Sequence, residues 1–356
     1  MFKKFFLIFT LAILFGSLSP LCCQEEHEFD THSNVTSLNL SKTNLWKSDI
    51  FNNIFSFEQL EELHIDQAQW APPPWNPNRA DYSGYLKFQD LLSRGHFPKL
   101  KILSLDHPSC LLRVEHNSWY KGMLFYGFHY VHNQSYTLDY SLFAPNLEKL
   151  SLKGFNFTNE LIRKYSLPGN NDLRDLAKLS LTELDLSKGN FEPEQIEQSS
   201  YVTISSLEKL SINDSLVKNF NFKVFAPNLK YLSLSSTNVN SKDVANISQL
   251  SDLVYLDLSV TKIPAGSLKK LNQLPLLQVL KLSGTNMTKA DFSCLQSTLK
   301  DLDLSYCEMS IASFKTLSML TQLEKLNLKN LRNDNITDAD RLSLQEALPN
   351  CNIIIK

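Results

Sequence analysis

One pattern returns eleven times along the chain: leucine, two residues, leucine, one residue, leucine, two residues, a small residue, one residue and a further apolar residue. The clearest copies are LKYLSLSSTNV (229–239), LVYLDLSVTKI (253–263), LQVLKLSGTNM (277–287) and LKDLDLSYCEM (299–309). Their second leucine falls at Leu210, Leu232, Leu256, Leu280, Leu302 and Leu326, a nearly constant period of the kind that solenoids show. The array opens with VTSLNLSKTNL (35–45), its eleventh copy is LEKLNLKNLRN (323–333), and CNIIIK (351–356) reads as a truncated twelfth. Alternating leucines mark a short strand with one face turned inward. A single copy cannot bury its own leucines, so successive copies must stack into one parallel sheet over a leucine-filled interior.

These motifs resemble the leucine-rich repeat family, over nearly everything after about residue 34. The resemblance implies an α/β fold: a right-handed solenoid, or horseshoe, with a parallel sheet on the concave face and short helices and loops on the convex face. The connectors at 241–250, 310–320 and 337–348 look helical, and Thr337 and Asp340 stand at capping-box spacing. Such helices fit the cysteine-containing or ribonuclease-inhibitor-like subclass; the Gly-x-Ile-Pro element of the plant type is missing. The ninth motif position, usually Asn in the family, is mostly Thr, Ser, Gly or Cys (Thr237, Thr261, Thr285, Cys307). These smaller groups must replace the family's buried asparagine ladder in satisfying the loop amides.

Composition narrows function. Lys and Arg total 35 against 37 Asp and Glu, a net charge of −2, so no basic footprint for nucleic acid exists. No glycine-rich phosphate loop and no Gly-x-Ser-x-Gly elbow occurs, which leaves nucleotide use and elbow-type hydrolysis without support. His107, Cys110, His116, His129 and His132 lack the spacing of a metal site. The expectation is a protein without catalytic residues, cofactor or metal. Cys110, Cys294, Cys307 and Cys351 are far apart and read as free thiols.

At the N-terminus, Lys3 and Lys4 precede an apolar run (FFLIFTLAILF, 5–15), then the breakers Gly16 to Pro20 and a polar stretch from Gln24. That order is the layout of a secretory signal peptide over residues 1–23, followed by a polar segment at 24–34 and the repeat domain at 35–356. It implies a secreted or cell-envelope protein. The alternative is membrane anchoring, through an uncleaved segment or a lipid on Cys22 or Cys23.

The expected role is a non-enzymatic scaffold for protein–protein interaction, with a protein as partner. Two places are candidates. Tyr231 and Tyr255 occupy the third position of adjacent copies, so they stack side by side on the open face; they read either as strand-favouring residues or as a contact patch. The spacing also stretches to nearly twice its usual length, first from Leu63 to Leu103 and again from Leu103 to Leu150. The material inserted there, at 70–98 and 111–143, carries Trp70, Trp75, Trp119, Tyr120, Tyr126 and Tyr130, with hairpin-like alternation at 123–132. Aromatic insertions of this kind pack on the solenoid flank, contact a partner, or do both. The competing reading is an intracellular or membrane-anchored adaptor, like the substrate receptors of ubiquitin ligases, with the N-terminal segment retained.

Overall fold

The structure, a computed structural model, describes residues 35–42, 54, 57–66, 97–106, 144–154, 173–189, 191, 193–295, 297–332 and 336–355. Everything before Val35, residues 70–96 of the first aromatic insert and the whole of the second, with the alternating stretch at 123–132, lie outside the described residues.

Twelve strands, β1 (Ser37–Asn39) to β12 (Asn352–Ile354), form one parallel sheet in strict chain order. This is the expected α/β leucine-rich repeat solenoid. From β1 to β11 each strand spans the third to fifth motif positions, so the second leucine of every copy sits at its centre. The register is unbroken: Leu232 pairs with Leu256, Leu256 with Leu280, Leu280 with Leu302 and Leu302 with Leu326. The truncated copy joins as β12, where Leu326 pairs with Ile353. Leu210, Leu232, Leu256, Leu280, Leu302 and Leu326 are fully buried. Burial of each such side chain contributes roughly 1.5–3 kcal/mol, which no isolated copy obtains.

Beyond the strands the backbone ladder continues. In nine described copies the eighth motif residue adopts positive φ, from Lys42 (61°) to Asn330 (52°). That turn aims its N–H at the seventh-position carbonyl of the next coil: Ser236 donates to Ser259 at 2.8 Å, and Val260 to Ser283 at 2.7 Å.

The convex side matches the sequence reading. Helices run over Ser241–Ile247, Ile311–Thr316 and Asp338–Ala347. Thr337 caps the last, accepting from the Asp340 N–H while the Asp340 carboxylate accepts from the Thr337 N–H. Asp243 does more than cap its own helix. It is fully buried, and its two oxygens accept from the Asn240 N–H (2.7 Å) and the Asn219 N–H of the preceding coil (2.8 Å). Burial pushes its carboxyl above the usual range, against the pull of those amides. Among the described residues no helix is long and apolar enough to cross a membrane.

Cys307 and Cys351 are buried free thiols and Cys294 is half-buried. The ninth-position hydroxyls do something other than expected. Thr237, Thr261 and Thr285 donate to the carbonyls of Leu234, Leu258 and Leu282, three positions back (2.5–2.7 Å). They satisfy carbonyls, not loop amides, because a hydroxyl so close to the strand end reaches its own coil first.

Candidate functional site

The loop amides are held from the other side of the sheet, by a two-way rule. Where the fifth position is Asp or Asn, its side chain caps the seventh-position N–H of its own coil. Asn39, Asp185, Asp257, Asp303 and Asn327 accept in this way at 2.8–3.1 Å. Where the fifth position is His or Ser, the seventh-position side chain of the preceding coil takes over. Ser41, Asp66, Asp106, Ser187 and Asn213 then accept from Asp66, Asp106, Lys153, Asn213 and Ser235, at 2.8–3.2 Å. Fifth-position hydroxyls also join: Ser104, Ser151 and Ser233 donate to Asp66, Asp106 and Asn213. The small hydroxyls of the fifth and seventh positions are engaged in this ladder, and Ser104, Ser187, Ser233 and Ser305 are buried.

Beside that ladder, third-position side chains contact one another from coil to coil. Lys149 and Lys209 flank Glu183, with Nζ to carboxylate distances of 2.5 and 3.2 Å. The hydrogen bond from Lys149 holds the Glu183 carboxyl below its usual range. Lys209 also lies over the Tyr231 ring, 5.3 Å from its centroid, and Tyr231 stacks on Tyr255 with centroids 4.1 Å apart and planes 8° from parallel. One row of contacts therefore crosses five strands, from Lys149 to Tyr255. Both tyrosines are half-buried. Burial raises the Tyr255 hydroxyl pKa well above the ordinary 10.0, helped by the Asp257 carboxylate and by Tyr231.

Further along, Lys281 stands between Asp257 and Asp303 in the register. Those two carboxylates cap their own loops, and Lys281 reaches Asp301 instead (2.9 Å), which also meets Lys325 at 3.4 Å. On the other flank the sheet face carries a hollow of about 260 Å³, bordered by His64, Ser104, Lys149, Ser151, Asp185 and Ser211. The hollow is open to water, and Lys149 at its border is paired across coils with Glu183.

Of the candidate residues, Tyr231 and Tyr255 are brought together as expected. Trp70, Trp75, Trp119, Tyr120, Tyr126 and Tyr130 lie outside the described residues. Lys149, Glu183 and Lys209 were not singled out from the sequence; reading the third position down the register is the signal that finds them.

No protein-family model matches the chain, and no curated protein matches it. Among solved structures, an internalin from Listeria monocytogenes is 16% identical over 90% of this chain and 86% of its own, with a TM-score of 0.46. A leucine-rich repeat protein from Leptospira interrogans is 20% identical over 85% and 74%, with a TM-score of 0.45. TLR13, solved as a complex with ssRNA13, is 18% identical over 90% of this chain and 46% of its own, with a TM-score of 0.50. At such identities the likeness concerns architecture: the chain shares the leucine-rich repeat fold and spans under half of the TLR13 structure.

Proposed function

We propose that this chain is an exported, non-catalytic scaffold that binds a protein through the exposed face of its sheet, centred on Tyr231 and Tyr255. The observation that carries this reading is the stacked tyrosine pair held against Lys209. The two rings have already lost rotamer freedom in the free protein, so a partner gains their contact area with little further ordering. Tyrosine is also among the residue types that dominate interface energetics. A protein partner, as against nucleic acid, fits the balance of 35 basic and 37 acidic residues. Export rests on the order of charge, apolar run and breaker in residues 1–23.

The test compares capture by the wild-type chain and by the Tyr231→Ser, Tyr255→Ser double variant, using extracts and culture fluid of the source cells. Quantitative mass spectrometry should show at least one protein retained by the first and lost by the second, with circular dichroism unchanged. Identical retention by both chains would refute the tyrosine-centred surface. N-terminal sequencing of the mature protein addresses export: a start near residue 24 supports it, and an intact Met1 favours the anchored adaptor.

A further inference from the structure

The tyrosine stack has a third place that the chain itself does not fill with a ring. Tyr231 and Tyr255 are register partners on adjacent strands, and their stack, 4.1 Å between centroids and 8° from parallel, follows the spacing of the sheet. Tyr231 has Tyr255 on one face and Lys209, from the preceding strand, over the other. Tyr255 has Tyr231 on one face, and on its far side the register partner is Val279. A valine side chain is much shorter than a tyrosine ring. The outer part of the Tyr255 ring therefore stands as a wall above a half-buried valine floor. The next strand closes this step with Asp301, the register partner of Val279. Two strand spacings, about 9–10 Å, separate Tyr255 from Asp301, which is room for one ring stacked on Tyr255 above Val279.

The charges around the step decide what can fill it. Asp301 has both oxygens engaged, Oδ1 with Lys281 at 2.9 Å and Oδ2 with Lys325 at 3.4 Å, and Asp257 Oδ1 accepts from the Ser259 N–H at 2.8 Å. A guanidinium stacked on Tyr255 would find these acids already paired and two ammonium groups beside them. A carboxylate would meet Asp257 and Asp301, which act on the Tyr255 hydroxyl strongly enough to help raise its pKa. From β6 (Lys209–Ser211) to β10 (Asp301–Asp303), the second, third and fifth motif positions hold four lysines and four carboxylates, so this stretch of the face is neutral. An uncharged ring meets neither obstacle and extends the stack in the geometry that the two tyrosines already have.

We infer, resting on the reading that this face binds a protein, that the step above Val279 receives an uncharged aromatic side chain of the partner, stacked on Tyr255 as the third ring of the row. The wall is fixed before binding by its stack on Tyr231, so the incoming ring pays little ordering cost beyond its own. A large aromatic anchor in a step with its surrounding charges already paired is the kind of contact that dominates an interface.

The probe is the acetylated, amidated peptide Gly-Trp-Gly, titrated into the isotopically labelled full chain and followed by backbone amide NMR. The same peptide with a central Leu or a central Arg serves as control. The tryptophan peptide should shift the amides of Tyr255 and Val279, and the other two should not. Val279→Tyr puts the chain's own ring into the step, at a strand position that favours aromatic side chains, and should weaken the response about tenfold or more. Tyr255→Val removes the wall and should weaken it as much. The proposal is overturned if the tryptophan peptide shifts neither amide, or if the leucine or arginine peptide binds equally well. It is also overturned if either variant, native by circular dichroism, responds like the wild type. Partner capture separates this inference from the reading on which it rests. A protein lost by the Tyr231→Ser, Tyr255→Ser double variant but retained by Val279→Tyr sinks the third ring and leaves the tyrosine face standing. Loss by both supports the third ring, and retention by both sinks the face and the ring together.

Discussion

Asn213→Ala is the perturbation that probes the polar ladder most sharply. The Asn213 carboxamide oxygen accepts from the Ser233 hydroxyl at 2.7 Å and from the Ser235 N–H at 2.8 Å, both in the following coil. Each such bond contributes about 1 kcal/mol net, and Ser233, at 3% exposure, is left with a buried hydroxyl lacking its acceptor. The expected loss is therefore about 2–3 kcal/mol, seen as a Tm lowered by about 4–8 °C. The two-way rule then specifies a rescue. Ser233→Asn removes the orphaned hydroxyl and supplies a fifth-position cap to the Ser235 N–H, as Asp257 does for Ser259 at 2.8 Å. Added to Asn213→Ala it should recover about 1–2 kcal/mol, while in the wild-type background, where the amide is already capped, it should gain nothing. Urea denaturation followed by circular dichroism on the four chains measures the coupling. Additivity within about 0.5 kcal/mol would show that the two side chains do not serve the same amide, and the rule would fail.

Three other outcomes follow from the same geometry. The Tyr255 hydroxyl has a folded pKa raised above its unfolded value of 10.0, so the folded state holds that proton more tightly. Its contribution is full below pH 10.0 and is lost as pH rises beyond it. Tyr255→Phe should flatten this alkaline fall in stability, and an unchanged pH profile would contradict the assignment. Leu256→Ala, at a fully buried strand centre, should cost about 2–5 kcal/mol and open the neighbouring coils to limited proteolysis first. Thr337→Ala removes one half of the last capping box; about 1 kcal/mol of stability and the amide-exchange protection of Asp338–Ala347 should fall together.

The fold was legible because its determinants are local and repeated. Leu232 and Leu256 occupy the same place in successive copies, and so short and even a period leaves stacking as the one way to bury both. The tyrosine pair was legible for the same reason, since register places Tyr231 beside Tyr255. The ladder was not. Whether Ser235 is capped by its own coil or by Asn213 depends on what stands at the fifth position of one coil and the seventh of another. A motif read copy by copy does not show that link. Lys281 turning to Asp301 is a similar case, decided by lateral reach between strands. Val260 is another such case: valine is ordinary in a strand-rich sequence, and only its backbone conformation, φ 55°, makes it an exception.

The central claim is that the face carrying Tyr231 and Tyr255 is where this protein meets its partner. Hydroxyl-radical footprinting of the chain, alone and bound to the protein it captures, measures this directly. The account predicts that both tyrosines become protected on binding while Met319, 65% exposed on the helical side, keeps its reactivity. Unchanged tyrosines with a protected Met319 would contradict it.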